Sequence, residues 1–182
     1  MKLSAKGEKA NVEAFDQLKA TMTWTSPVDF DLSAIVEHKD GSSDMIYFDK
    51  LGDLNVAPFI KHSGDEGIGG DVAEGGNKEE LTIAKLTEGD KIHLAVWDYT
   101  SIEEKKDTQF SNADLKLSLV DNNGKEYDAN MDVSAAGDGN FAILATIDNS
   151  GMVPEVINQS CATKITEGKL PATETLLAVL HG

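Results

Sequence analysis

Period-two alternation of apolar and polar residues runs through most of this chain. It excludes a helical bundle before anything else is considered. In 18–25, Leu18, Ala20, Met22 and Trp24 fall on one face and Lys19, Thr21, Thr23 and Thr25 on the other. In 29–37, Phe30, Leu32, Ala34 and Val36 share a face. Ile92, Leu94 and Val96 alternate with His93, Ala95 and Trp97, and Leu115, Leu117 and Leu119 with polar or smaller partners. Met45–Phe48, 81–83, Phe141–Asp148 and 156–165 read as further strands. Turn signals separate them: Gly52-Asp53, Asn122-Asn-Gly124 and Asn149-Ser-Gly151. The pattern predicts an all-β fold, an antiparallel β-sandwich of two sheets with about eight to ten strands. Helix signals are few: a short turn at 101–106 and a weak apolar pattern at 174–180 that could cap one end of the sandwich. The 182 residues are read as one domain over 1–182, with 166–182 as a C-terminal tail or capping helix.

One stretch breaks the alternation. Residues 62–80 read His62-Ser-Gly-Asp65-Glu-Gly-Ile-Gly-Gly-Asp71-Val-Ala-Glu74-Gly-Gly-Asn77-Lys-Glu79-Glu80, with six glycines and six carboxylates. Glycine admits left-handed backbone conformations, and carboxylates supply hard oxygen donors. Calcium takes six to eight such oxygens at roughly 2.3–2.6 Å in a tolerant geometry. A solvated, flexible acidic loop has the same composition, so both readings stand at this point. A second acidic feature lies upstream. Strand alternation puts Asp29, Asp31 and Ser33 on one side of a strand whose other face is apolar. Two aspartates so placed repel each other unless a cation lies between them or water screens them. They are either part of a solvated face or ligands over which the glycine-rich segment closes.

Charge narrows the partners. Acidic residues outnumber basic ones 32 to 16, for a formal net charge of −16. That balance repels nucleic-acid phosphates and anionic membranes and favours a bound divalent cation. The N-terminus carries no hydrophobic signal core and no run reaches membrane-span length, so the expected location is the cytoplasm. The single cysteine, Cys161, excludes an intramolecular disulfide and reads as a small buried hydrophobe. His38, His62, His93 and His181 show no zinc-ligand spacing. His62 reads as fixing the acidic loop by a hydrogen bond. No Gly-x-Ser-x-Gly elbow is present, and Gly67–Gly70 lacks the lysine of a P-loop. A pair such as Asp65 and Asp71 could be cast as glycosidase acid and base, but any acidic sequence offers such pairs.

The order of these motifs resembles the TerD family of tellurium-resistance and general stress proteins. Asp29-Phe-Asp31-Leu-Ser33-Ala34 is similar to that family's aspartate–x–aspartate–x–serine–alanine stretch, and Ile46-Tyr-Phe-Asp49 to the aromatic strand that follows. His62-Ser-Gly-Asp65 matches the opening of its acidic glycine loop, and Asn77-Lys-Glu79 falls where that loop usually ends in two aspartates and a glutamate. Gln109-Phe110-Ser-Asn112-Ala113 matches a later segment, and order and spacing hold from about residue 18 to about 165. The resemblance implies a two-sheet β-sandwich that binds one or two Ca2+ through acidic loops and has no enzymatic activity. It implies a role in resistance to tellurite and other stresses. Its partners would be other proteins of that resistance system, some at the inner face of the bacterial membrane. The implied metal ligands are Asp29, Asp31, Asp65, Asp71, Glu74, Asn77 and Glu79. Departures fall in the second half of the loop. Asn77 and Lys78 stand where aspartates are usual, and the loop is a few residues longer around Asp71 and Glu74. Trp97-Asp98-Tyr99 replaces a segment that often holds histidine. One of two ion sites would then be weaker or absent. The reading from a different class is a calcium-stabilised carbohydrate-binding or adhesive sandwich. Two or three coplanar exposed aromatics would favour it, and a buried Trp97 beside a metal would favour the first.

Overall fold

The computed structural model describes residues 2–64, 76–108, 110–132 and 136–181. Eleven strands are formed among them: β1 Lys9–Asn11, β2 Leu18–Trp24, β3 Phe30–Glu37, β4 Ser43–Ile46, β5 Ile60–His62, β6 Asn77–Ile83, β7 Lys91–Asp98, β8 Lys116–Asp121, β9 Glu126–Asp132, β10 Phe141–Asp148 and β11 Glu155–Thr163. They make a six-stranded sheet, β1-β11-β10-β7-β3-β4, and a five-stranded sheet, β5-β6-β2-β8-β9, antiparallel throughout. This is the expected all-β sandwich. Two short helices are present, α1 at Tyr99–Glu104 and α2 at Thr173–Leu177. No helix among the described residues is long and apolar enough to cross a membrane.

The alternation builds the core directly. Leu18, Ala20, Met22 and Trp24 of β2 face Phe30, Leu32, Ala34 and Val36 of β3 across one apolar cluster shared by both sheets. Each of the larger side chains contributes about 1.5–3 kcal/mol by leaving water. In β10 a bulge between Ile143 and Ala145 shifts the register, so that Leu144 and Ala145 both join this inner cluster.

The outer face of the six-stranded sheet departs from expectation. Ile35, Ala95, Trp97, Phe141 and Ile143 point away from the inner core into a second buried cluster with Ile102, Ile165, Leu176 and Leu177. The C-terminal stretch therefore lies on this face, beside β4 and β11, rather than capping an end of the sandwich. The reason is that β3, β7 and β10 are buried on both faces over nearly their whole length, and the apolar side chains on their outer faces need a cover. Cys161 packs half-buried against this cluster. Burial pushes its thiol pKa up, away from the nucleophilic thiolate.

At the end of the sandwich where β3 turns into β4, His38 is held between two carboxylates. Its Nδ1 lies 2.8 Å from Asp90 Oδ2 and its Nε2 3.1 Å from Asp44 Oδ2. Burial works to lower the His38 pKa, but the hydrogen bonds and charges of Asp90 and Asp44 outweigh it and raise the value above the ordinary one. The hydrogen bond from Lys50 first, and that from His38 after it, outweigh burial and hold the Asp44 carboxyl below its usual range. A histidine whose folded pKa is raised stabilises the fold fully below its unfolded pKa of about 6.5 and loses that contribution as pH rises through the folded value. His38→Ala is therefore expected to lose about 1–3 kcal/mol at pH 6. The gap to wild type should narrow as pH rises above about 6.5, measured by denaturant unfolding across pH. A gap that widened with pH would contradict the clasp.

Candidate metal centre

Asp29 closes a pinned loop. Asp114 Oδ1 and Oδ2 accept from Thr25 N at 2.9 and 3.0 Å, and Oδ1 accepts from Ser26 N at 3.1 Å. The Thr25 hydroxyl donates to the same carboxylate. Burial works against the charge on Asp114, but these donors outweigh it and hold its carboxyl below the usual range. The Trp24 indole N–H then donates to Val28 O at 2.9 Å, and Tyr99 N donates to Asp29 O at 3.1 Å. The chain enters β3 with Asp29 fixed at its threshold.

Alternation does the rest. Asp31 and Ser33 share the outer face of β3, opposite Trp97 and Ala95 of β7. This face is not a solvated one: Asp31 is 5% exposed, and Ser33 and Trp97 are fully buried. Among the described residues, Ser33 Oγ and Trp97 Nε1 are buried without a hydrogen-bond partner. The Tyr99 phenol lies close enough to feel the site. Its pKa is raised first by the Glu103 hydrogen bond and further by the negative charges of Asp31 and Asp29.

The flanks of the acidic segment are held at the same place. β4 pairs with β3 only over Ala34–Glu37, so among the described residues no strand continues along that edge of β3 at Leu32. Side chains from the other sheet fill that role. Glu79 Oε2 accepts from Leu32 N at 2.6 Å, and His62 Nε2 lies 3.0 Å from Leu32 O. His62 Nδ1 accepts from Gly64 N at 3.0 Å, so the ring proton sits on Nε2 and points at the Leu32 carbonyl. His62 thus fixes the start of the segment by hydrogen bonds.

Of the residues singled out from sequence, Asp29 and Asp31 stand at the start of β3. Asn77 and Glu79 stand on the inward-facing side of β6, opposite Trp24 and Met22. Asp65, Asp71 and Glu74 lie outside the described residues. Among the described residues no group of three or more histidine, cysteine or carboxylate side chains is assembled for a metal ion.

Two features escaped the sequence reading. Asp98 is an N-cap: it accepts from Ser101 N at 3.0 Å, Ser101 Oγ at 2.8 Å and Thr108 Oγ1 at 2.7 Å, starting α1 and tying down the chain after it. An aspartate three residues before a serine is the signal that was available. The other is the Leu32 contact, which no local pattern announces. Trp24 and Trp97 are both buried, and Tyr99 is the one aromatic among the exposed large apolar side chains of the described residues. A coplanar aromatic platform is thus not among them. The chain matches no protein-family model, and no curated protein matches it.

Proposed function

We propose that this chain is a calcium-binding, non-enzymatic stress protein of the TerD type. Asp29 and Asp31, together with Asp65, Asp71 and Glu74 of the glycine-rich segment and Asn77 at its end, would hold one or two Ca2+. The observation that carries the reading is the convergence at β3. The two aspartates flank Phe30, while His62 and Glu79, from the strands on either side of 65–75, are both bonded to Leu32. The residues that flank the segment richest in carboxylate and glycine are therefore bonded to the strand that carries these two aspartates. The buried, unpartnered Ser33 Oγ adds one more oxygen on their side. Bound calcium would offset part of the −16 charge and order a surface for other proteins of a stress or tellurium-resistance system. The working place would be the cytoplasm, at the inner membrane face through those partners, with no nucleic acid involved.

Calorimetric titration of metal-free protein with calcium tests this. Heat with a stoichiometry of one or two is expected. At about a hundred times the dissociation constant the fold gains about 2.7 kcal/mol, with a smaller effect from magnesium, which dehydrates reluctantly. Asp31→Asn should weaken binding by about tenfold or more, the equivalent of about 1.4 kcal/mol. No heat and no shift in melting temperature at millimolar calcium would overturn the proposal.

A further inference from the structure

A cleft of about 910 Å³ opens beside the end of β3 that lies away from Asp29 and Asp31. Three loops make it: the turn 38–42 between β3 and β4, the connection 84–90 between β6 and β7, and the hairpin tip 149–154 between β10 and β11. Asp90, buried, ties the three together. Its Oδ2 holds His38 Nδ1, and its Oδ1 accepts from Lys39 N at 3.2 Å. Its backbone carbonyl accepts from Asn149 N at 3.0 Å. Gly89 N donates to Asn149 O at 2.9 Å, and Asn149 Nδ2 donates to Thr87 O at 2.9 Å. The cleft is therefore preorganised, and little ordering is left to oppose binding there.

Its rim presents apolar surface that the fold does not use. Met152 stands at the hairpin tip with its side chain wholly exposed, at 103%, and Val153 beside it is half exposed. A lone exposed methionine needs no explanation. This one lines a rigid cleft together with part-buried Leu86. The charged lining is balanced, Lys39 and Lys91 against Glu37 and Glu88. Lys91 and Glu37 are engaged by Asp148 and His93. Lys39 and Glu88 are exposed and have no ion-pair partner among the described residues. The Lys39 stem lies across Gly89, where a Cβ would come within 2.6 Å of its Cδ.

We propose that this end is the contact surface of a two-fold homodimer, in which Met152 of each copy lies over the cleft of the other. The balance of charge selects the occupant. An acidic partner is repelled by the −16 of the whole chain, and a basic one is opposed here by Lys39 and Lys91 and drawn to the acidic surface elsewhere. A second copy turned about a two-fold axis brings the lysines of each against the glutamates of the other, as a self-complementary contact requires. Two copies of so acidic a chain can meet there without like charge opposing like. The surface lies at the other end of β3 from Asp29 and Asp31, so this proposal and the calcium reading stand or fall separately.

Sedimentation equilibrium on the full chain, from about 1 μM to about 1 mM, reads the dissociation constant. Wild type is expected to pass from monomer towards dimer across that range. Met152→Asp should weaken association by at least about tenfold, the equivalent of about 1.4 kcal/mol. Lys39→Glu and Glu88→Lys should each weaken self-association, because two-fold symmetry makes each change count twice. Mixed in equal amounts, these two variants should form a heterodimer tighter than either homodimer. All three side chains are exposed, so melting temperatures should stay close to that of wild type. Wild type that stays monomeric at about 1 mM would leave this face to a different partner and overturn the proposal. A dimer undiminished by Met152→Asp, or charge variants that do not prefer each other, would put the contact elsewhere and overturn it equally.

Discussion

Asn140→Ala is expected to destabilise the protein by about 3–5 kcal/mol, because three backbone groups lose their partner at once. The Asn140 side chain is fully buried. Its Nδ2 donates to Lys106 O at 3.1 Å and Ile165 O at 2.9 Å, and its Oδ1 accepts from Ile165 N at 2.7 Å. Its backbone works as well: Asn140 N donates to Thr163 O, and Asp98 N donates to Asn140 O. One residue therefore ties together the end of β7, the chain after α1 and the chain leaving β11 for the outer-face cluster. Gly139 beside it has no room for a side chain, since a Cβ would lie 2.3 Å from Thr163 O. Alanine at 140 takes this partner from two carbonyls and one amide, with both Ile165 groups buried and the Lys106 carbonyl part-buried. For a chain of this size the loss corresponds to a fall in melting temperature of roughly 6–20 °C. Denaturant and thermal unfolding of the variant measure it. A loss under about 1 kcal/mol would mean that water replaces the carboxamide there.

Asn140 shows where sequence reading stops. Its neighbourhood, Ala135-Ala-Gly-Asp-Gly139, reads as a plain loop, because nothing local says which carbonyls will come within reach of its side chain. A strand such as Leu18–Trp24 is legible because one face is buried and period two exposes it, while Phe141–Asp148 is legible as a short, nearly continuous apolar run buried on both faces. β1 and β5 span three residues each, too few for a period to register. β9 begins Glu126-Tyr127-Asp128 and shows no apolar run. The first half of β6 is hidden for a different reason. Its inward positions are Asn77 and Glu79, so Asn77-Lys-Glu79 reads as the end of an acidic loop. Burial of that glutamate makes sense only once the edge of β3 at Leu32 is known. The candidate site divides along the same line. That Asp29 and Asp31 share a face follows from strand geometry. That the face is buried does not, since it depends on Trp97 across the sheet and on the C-terminal stretch that covers its neighbours.

Replacing residues 65–75 by a six-residue glycine–serine linker is expected to abolish the calcium response and leave the sandwich folded. β5 and β6 are antiparallel neighbours, with His62 opposite Leu81. The pairing runs on to Ser63, whose N donates to Glu80 O at 2.9 Å and whose Oγ accepts from Glu80 N at 3.0 Å. From Glu80 back to Gly76 is four residues of extended chain, about 13 Å at the strand rise. A six-residue linker reaches roughly 20 Å when extended, so it spans the distance without pulling on either strand. β6 keeps its pairing with β2 from Asn77 to Ile83, and Glu79 and His62 keep their bonds to Leu32. Shortening a connection from eleven residues to six changes loop-closure entropy by well under about 1 kcal/mol. What disappears is Asp65, Asp71 and Glu74. Asp29, Asp31 and Asn77 alone give an ion too few oxygens to replace its water. The variant should therefore melt within a few degrees of metal-free wild type and show no further stabilisation at millimolar calcium. Wild type should gain about 2.7 kcal/mol at a hundredfold excess over its dissociation constant. A variant that keeps the calcium shift would place the ion elsewhere on the surface. One that fails to fold would show that the segment is part of the sandwich rather than a closure over it.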